Sequence, residues 1–344
     1  MGKNKGYLRL DGRGSIIQKS DKGGGVLSPP LFKLRRNFMR ELSFTVPNEY
    51  DGIRLKSFLR GYCSVSSRLM VKLKREPMGI MNNGLHVIAT DTLKSGDVIR
   101  LLMPDDDKQI EPADLPLQIV YEDKDLLIVD KSANMPMYPC PGHDCDSLAN
   151  AVAAYYLKQN EKLAFRPVYR LDKDTSGLVV LTKNAYCAAC LAGKLQKEYT
   201  AICEGELWGN GTIDRPIGLK EGHRIQREVT PNGEMAITKW QALCSGDHHT
   251  LLSLELKTGR THQIRVHLSS LGHPLAGDDM YGGSLCSIGR QALHCGSVSF
   301  IHPVTMQGMS FTCNPPCDMQ ELLIACGMKK CTKTVYRNTP NAYN

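Results

Sequence analysis

The sequence predicts an α+β protein: a main domain built on a mixed, largely antiparallel sheet, preceded by a small α/β module. Runs of strand-like segments are interrupted by single helices and joined by hairpin-like links, which is typical of this class. No Gly-rich phosphate loop follows a predicted strand, which argues against an ATP or NAD enzyme. The 344 residues suffice for one large core and a small extra domain.

The positive charge of the chain is concentrated in an N-terminal tail. Residues 1–40 hold ten of the 43 Lys and Arg residues and two of the 35 acids, so this tail alone carries the net charge of +8. Its composition, which includes the run Gly23-Gly24-Gly25, buries little apolar surface and predicts disorder. Such a tail could hold RNA phosphates, or it could be a leader that precedes a true start at Met39.

A small module is predicted over residues 41–103. An alternating strand at 42–46 is followed by two short helices, the second starting at Ser64–Ser67, and then by a hairpin with the turn Asn83-Gly84. Residues 52–75 contain no acid, and their bases suit the phosphate spacing of a folded RNA. The candidate RNA-binding residues are Arg54, Lys56, Arg60, Arg68, Lys72, Lys74 and Arg75.

The order helix, helix, hairpin, Gly-Asp and strand resembles the S-four-like (alpha-L) RNA-binding module. The resemblance covers 41–103 and departs from the family at Lys56, where an Asp is usual, and at Asn82, where a Val is usual. A solvated helical face without a ligand is the alternative. Residues 104–116 are acidic and contain prolines, which predicts a linker that ends the module.

The main domain is predicted over residues 117–326, with a C-terminal tail at 327–344. Strands are expected at 119–121, 126–131, 178–183, 198–203, 239–243 and 250–256, and helices at 147–157, 185–197 and 261–271.

A dense polar motif precedes the strand at 178–183. In the run Arg170-Leu171-Asp172-Lys173-Asp174-Thr175-Ser176-Gly177, one carboxylate, Asp172, lies on a tight loop that feeds a buried strand. A loop held by a rigid strand is a common place for catalytic groups. Alone, Asp172 could equally cap the loop through backbone N–H groups. A second polar segment at 257–267 contains Arg260 and Arg265.

Together these motifs resemble the RluA-type RNA pseudouridine synthases over roughly 117–320. The first motif is normally His-Arg-Leu-Asp-x-x-Thr-Ser-Gly, and this chain has Tyr169 in place of the His. Further matches, in the same order as in the family, are 197–199, 259–267, 271–278, 281–282 and 291–295.

The resemblance implies an enzyme that isomerises uridine in structured RNA to pseudouridine, with ribosomal RNA favoured over transfer RNA. It implies that Asp172 is the catalytic carboxylate and that the ring of Tyr199 packs on the target base. We expect Arg265 to pair with Asp172, with Arg260 as its rival, and Arg170 to fill the space that a flipped base vacates. Arg170 and Arg260 are also the candidate RNA-binding residues of this domain. Tyr199 could also take the final proton.

Two other functions remain open at this level: a non-catalytic RNA-binding or ribosome-associated factor, and a hydrolase that uses Asp172. The first would be expected to lack Asp172 or its Arg, and the chain lacks the second carboxylate that the hydrolase needs.

Neither a cofactor nor a metal is expected. The 13 cysteines read as free thiols, and neither Cys187-x-x-Cys190 nor Cys313-x-x-x-Cys317 has a partner pair at zinc-finger spacing. His262 and His267 are expected to form hydrogen bonds on a helix. With no apolar run of the roughly 18 residues that a membrane span needs, and no signal-peptide core, we expect a cytoplasmic monomer whose partner is RNA.

Overall fold

The computed structural model describes residues 9–10, 16–17, 40–103 and 110–328. The rest of the predicted tail over 1–40, residues 104–109 of the predicted linker and residues 329–344 lie outside this part. The chain forms two compact units. One contains the described residues up to 103 together with 156–164 and 184–190, and the other contains 110–155, 165–183 and 191–328.

The first unit contains the predicted helix pair and hairpin. The elements up to residue 103 are β1 (Arg9–Leu10), β2 (Ile16–Ile17), β3 (Glu41–Thr45), α1 (Leu55–Gly61), α2 (Ser67–Arg75), β4 (Ile80–Asn82), β5 (Leu85–His86) and β6 (Val98–Leu102). The four-stranded sheet of this unit has the order β3-β6-β4-β5, and every pair in it is antiparallel.

The two short helices each bury one face and expose the other. Leu55, Phe58 and Leu59 of α1 are buried, as are Leu69 and Leu73 of α2, which follows from their spacing of three or four residues. The Ser66 hydroxyl caps α2 by accepting a hydrogen bond from the Leu69 N–H at 3.2 Å. All seven candidate RNA-binding bases of this unit are exposed.

The remaining elements contain the large sheet. They are β7 (Gln118–Glu122), β8 (Leu126–Lys131), α3 (Leu148–Lys158), β9 (Ser176–Thr182), α4 (Ala185–Leu191), β10 (Gln196–Glu204), β11 (Asn210–Asp214), β12 (Ile217–Leu219), β13 (Arg227–Val229), β14 (Ile237–Gly246), β15 (His249–Leu256), α5 (Gln263–Ser269), β16 (Leu293–Ile301), β17 (Gly308–Thr312) and α6 (Cys317–Ala325).

A nine-stranded sheet forms the centre of the second unit. Its order is β11-β14-β15-β10-β16-β9-β8-β7, and β17 pairs with β16. Among the described pairs only β16 and β9 run parallel. This mixed, largely antiparallel sheet agrees with the predicted fold class.

The parallel contact between β9 and β16 depends on Gly177. Its φ is +115°, and a Cβ there would lie 2.4 Å from the carbonyl oxygen of Cys295. Any side chain would force the two strands apart. This close approach fixes the start of β9, which directly follows the Asp172 loop.

Two predicted helices are too long. The helix at 185–197 ends at Leu191, because Gly193 takes a left-handed φ of +70°, and Lys197 lies in strand β10. The helix at 261–271 starts at Gln263, because His262 has a left-handed φ of +57°. Strands β11, β12, β13, β16 and β17 and helix α6 were not predicted.

Eleven of the described cysteines are free thiols. Cys244 is disulfide-bonded, so the prediction of free thiols throughout is wrong at this position. Spacing alone does not pair cysteines, so no pattern in the sequence predicted this bond. In the described part of the chain, no helix is long and apolar enough to cross a membrane.

Candidate active site

The Asp172 loop is a tight turn that ends where β9 begins. The N–H of Thr175 donates to the Asp172 carbonyl at 3.2 Å, which closes the turn. The Asp172 side chain keeps 27% of its surface exposed, so it is open to a substrate. The loop itself is anchored by buried side chains on both sides.

Lys131, the last residue of β8, anchors the loop from one side. The residue is 1% exposed, and its ammonium donates to the carbonyls of Ser132 at 2.8 Å, Met135 at 2.9 Å and Lys173 at 3.0 Å. Burial lowers the pKa of Lys131 to about 7, while the negative charges of Asp174 and Asp172 oppose this effect. Lys131 therefore joins residues 132–135 to the residue that follows Asp172.

We expect Lys131→Met to loosen the Asp172 loop and lower turnover more than RNA affinity. Three carbonyls lose their donor, and one buried unsatisfied group costs about 1–3 kcal/mol. Between pH 7 and about 10.4, the ordinary lysine pKa, the unfolded chain holds a proton that the folded chain has released. Stability therefore rises with pH in this window.

Urea unfolding of both proteins at several pH values measures the effect of Lys131→Met. The difference in unfolding free energy, wild type minus variant, should grow as the pH rises from 7 towards 10. A difference that shrinks would contradict the buried-lysine account.

Arg290 anchors the loop from the other side. Its guanidinium donates to the Asp174 carbonyl at 2.9 Å and grips the Asp318 carboxylate of α6 through two bonds of 2.6 and 2.9 Å. The Gln291 amide donates to the Thr175 hydroxyl at 3.4 Å. The residues around 290 thus help to fix the loop backbone.

Arg265 is the arginine that lies beside Asp172. On helix α5, its Nη1 is 3.5 Å from the Asp172 Oδ2, while its Nε and Nη2 donate to both oxygens of Asp278 at 2.7 and 2.8 Å. The Asp278 side chain is fully buried, and that of Arg265 is 7% exposed. Asp278 therefore holds the guanidinium in place, and the remaining nitrogen, Nη1, faces the Asp172 carboxylate.

The rival, Arg260, contacts a different carboxylate. Its guanidinium pairs with the exposed Glu234 and donates to the Met235 carbonyl at 3.0 Å.

Arg265 also lies over the ring of Tyr281, 4.9 Å from the centroid, which stabilises the cation further. The Tyr281 hydroxyl is in turn 2.7 Å from Nδ1 of His262.

Tyr199 lies on β10, in register with Cys295 of β16. It is 4% exposed. Burial raises its pKa well above the usual range, and the nearby Cys295 and the negative charge of Asp172 add to the rise. The phenol is therefore neutral and lies in the neighbourhood of Asp172.

Tyr169, the departure from the family pattern, has its hydroxyl 3.9 Å from the Sγ of Cys295, the residue in register with Tyr199. The same hydroxyl donates to the Leu178 carbonyl at 2.6 Å, so it fastens the segment before the loop to β9. The ammonium of Lys197 lies over its ring, 4.5 Å from the centroid. Arg170, the next residue, is exposed.

Comparison with known proteins identifies the family. Residues 125–270 match the family model for RNA pseudouridylate synthase. The chain is 37% identical over 271 residues to the uncharacterized RNA pseudouridine synthase YjbO of Bacillus subtilis, which covers 76% of this chain and 96% of that protein. This chain belongs to the RNA pseudouridine synthase family.

Further relatives agree with this assignment of the synthase. It is 35% identical over 298 residues to the ribosomal large subunit pseudouridine synthase D of Vibrio cholerae, which covers 80% of this chain and 87% of that protein. The solved structure of human RNA pseudouridylate synthase domain containing 1 matches with a TM-score of 0.52 at 25% identity, over 67% of this chain and 98% of that one. The predicted fold class and enzyme class are confirmed.

The synthase acts on RNA and isomerises uridine to pseudouridine. The reaction breaks the bond between the sugar and a base nitrogen, rotates the base and joins the sugar to a base carbon, which then loses a proton. A carboxylate can serve as the nucleophile in such a reaction. The Asp172 loop offers a partly exposed carboxylate next to a buried guanidinium.

One group of side chains in the described part of the synthase has metal-ligand geometry: Asp123, Asp125 and His302. Asp123 already accepts from the N–H groups of Asp125 and Leu126, both at 2.7 Å. His302 is 3.0 Å from the other Asp123 oxygen, and its Nδ1 accepts two backbone N–H groups. These hydrogen bonds explain why the three residues cluster: they connect the β7–β8 turn to the segment after β16.

The sequence missed three residues of this site. Asp278 stands in the segment quoted for the family resemblance, but nothing in its spacing pointed to Arg265. Lys131 read as the end of a strand, and its burial follows only from the fold. Arg290 precedes the last family motif and shows no local pattern. His267 is buried, and its ring nitrogens bond to Thr238 and the Arg215 carbonyl, so it supports α5 as expected.

Proposed function

We propose that Asp172 is the catalytic carboxylate of this synthase and that Arg265 orients it. The observation that carries the proposal is the contact of 3.5 Å between a nearly buried guanidinium and a carboxylate that stays 27% exposed. The open side of Asp172 is then free to attack the uridine.

Asp278 makes this arrangement preorganised. A guanidinium held by two short bonds to a fully buried carboxylate keeps one position before and after substrate binds. Donors that need no rearrangement stabilise developing charge most effectively. We therefore propose that Arg265 orients Asp172 and that Asp278 fixes the position of Arg265.

Tyr199 is assigned to the target base. Because burial keeps its phenol neutral, it is a poor acceptor for the proton that leaves the base carbon. Its ring can instead pack on the base and keep water away. We also propose that Arg170, which is exposed two residues before Asp172, occupies the gap that the flipped uridine leaves in the RNA.

The preferred substrate in this proposal is structured ribosomal RNA. The Vibrio cholerae relative is a ribosomal large subunit synthase by name, and it covers most of the chain. Mapping pseudouridines in total RNA from cells with and without the protein tests this assignment. If pseudouridines are lost only from transfer RNA, the substrate is transfer RNA instead. If no pseudouridine is lost, the assignment is refuted.

The basic face of residues 54–75 is proposed to bind RNA phosphates as part of an S-four-like module over 41–103. We propose residues 104–116 as the linker and residues 117–326 as the catalytic domain. The whole chain is proposed to act as a cytoplasmic monomer. Each Lys and Arg side chain of this face is exposed, and the helix pair contains no Asp or Glu. Phosphate contacts release counterions, which makes affinity depend on salt.

Replacing Arg60, Arg68 and Lys74 with glutamine should weaken RNA binding and make it less salt-dependent. Each lost phosphate contact should make the slope of log affinity against log salt shallower by about 0.7–0.9. The charge-preserving variant Arg60→Lys/Arg68→Lys is the matched control and should keep the slope. Unchanged affinity and slope in the glutamine variant would remove RNA binding from this face.

Activity is expected to persist in EDTA without added nucleotide. The reaction is an isomerisation with no net redox change, and the bonds of the Asp123 cluster are already satisfied by the protein. Tritium release from RNA labelled at carbon 5 of uridine measures the activity. Loss on chelation that zinc restores would show that a metal takes part.

A further inference from the structure

An exposed aromatic side chain lies close to the Asp172 loop and has no part in the site described so far. Tyr138 is 40% exposed, and its ring meets that of Phe165 edge to face at 5.1 Å between centroids. We propose that Tyr138 is a stacking platform for the RNA nucleotide that neighbours the target uridine. This inference rests on the proposed function of the Asp172 site.

The segment that carries Tyr138 is joined directly to the Asp172 loop. The Met135 N–H donates to the Lys173 carbonyl at 3.1 Å, and the Lys131 ammonium bonds to the carbonyls of both residues. Tyr138 follows Met135 by three residues, so its Cα lies within roughly 10 Å of this junction. A base stacked on Tyr138 would therefore be close to one held at Asp172.

The backbone on either side of Tyr138 is fixed. The carbonyls of Pro136 and Met137 accept the first N–H groups of the α3 region, from Leu148 at 2.8 Å and Ala149 at 3.2 Å. After Tyr138, Cys140 and His143 exchange two backbone hydrogen bonds in a narrow turn. A rigid backbone with an edge-to-face neighbour leaves the Tyr138 ring little freedom to lose when a base stacks on it.

Two cations, Arg170 and Lys173, lie near the platform. Partial burial raises the pKa of Tyr138, and the positive charge of Arg170 opposes that rise, so Arg170 is near enough to act on the phenol. The Lys173 ammonium lies 3.5 Å from Nε2 of His143, on the turn that follows Tyr138. An aromatic face beside two cations suits a base with its phosphates.

An RNA nucleotide is the occupant that fits these features. Single-stranded and looped RNA is recognised by splayed bases that stack on aromatic side chains, with phosphates on Arg and Lys. The target uridine must leave its stack to react, so a neighbouring base loses a stacking partner at the same time. Tyr138 offers a replacement face for that neighbour.

The direct test uses a fluorescent RNA. A hairpin built around the mapped target uridine carries 2-aminopurine at the position on its 5′ side and, in a second hairpin, on its 3′ side. Wild-type protein should quench one of the two probes on binding. Tyr138→Phe keeps the ring and should keep the quenching, whereas Tyr138→Leu should abolish it.

Kinetics on the same RNA separate this site from the catalytic one. Tyr138→Leu should raise KM about tenfold, the loss of one base–aromatic stack, with the change falling on KM rather than kcat. The matched control is Trp208→Leu, another exposed aromatic of the second unit at 69% exposure, which should leave KM unchanged.

Several results would overturn the platform. They are quenching that persists in Tyr138→Leu, absence of quenching of both probes by the wild-type protein, a KM that rises equally in Trp208→Leu, and a loss confined to kcat. If Asp172→Asn is inactive while Tyr138→Leu behaves as wild type, only the platform fails. If Asp172→Asn keeps full activity, the proposed function itself fails.

Discussion

Asp172→Asn is expected to abolish pseudouridine formation, with a loss of more than about a thousandfold in kcat. The amide has nearly the shape of the carboxylate but neither its charge nor its nucleophilicity. Arg265 keeps its main partner, because Asp278 holds it through two bonds of 2.7 and 2.8 Å. The variant should therefore fold normally and bind RNA with much of the wild-type affinity.

Tritium release from RNA labelled at carbon 5 measures this prediction, with RNA affinity and the thermal unfolding midpoint as checks. Asp174→Asn is the matched control: the same change on the same loop, at a residue whose backbone carbonyl rather than side chain binds Arg290. It should stay within about tenfold of wild type, since it loses no nucleophile. Full activity in Asp172→Asn would refute the assignment of the carboxylate.

Asp278→Ala is expected to have the largest effect on stability, a fall of about 3–5 kcal/mol in the free energy of unfolding. The substitution leaves the Arg265 cation 7% exposed, with only the 3.5 Å contact to Asp172 in place of two short bonds. An uncompensated buried charge is costly. Arg265 would also move towards Asp172 and close its open side, so turnover should fall as well.

Urea unfolding compares this variant with Glu234→Ala, which breaks the exposed pair between Glu234 and Arg260. That pair is largely solvated, with side chains 73% and 38% exposed, and its loss should change stability by no more than about 1 kcal/mol. Equal effects of the two substitutions would show that Asp278 does not hold a buried cation. Normal turnover in Asp278→Ala would separate the position of Arg265 from catalysis.

Much of the fold was predictable because local patterns decide it. The hairpin turn at Asn83-Gly84 has a left-handed φ at both residues, 49° and 81°, as such a dipeptide favours. The α1 and α2 faces follow from apolar spacing. The helix ends at 191 and 263 were predicted poorly, because Gly193 and His262 break the helix through backbone conformations that no periodicity reveals.

The site was predictable only where its residues form compact motifs. Asp172, Tyr199 and Arg265 stand in such motifs, and the structure brings Arg265 rather than Arg260 to Asp172. Lys131 and Arg290 act on backbone carbonyls, a role that any buried donor at the right place could fill. Their contacts depend on tertiary structure, and a single sequence carries no local trace of them.

The close approach of Gly177 to Cys295 has a consequence for the time at which the enzyme becomes competent during its synthesis. The strand after the Asp172 loop is paired with a strand more than a hundred residues later in the sequence. The Asp174 carbonyl of the loop accepts a hydrogen bond from Arg290, which also lies more than a hundred residues later. A nascent chain that ends before these residues contains every side chain assigned to the chemistry, but it lacks the contacts that fix the Asp172 loop. Such long-range pairings form late in folding. We therefore expect a chain arrested before residue 290 to be catalytically silent, so that activity begins only when nearly the whole second unit has been translated.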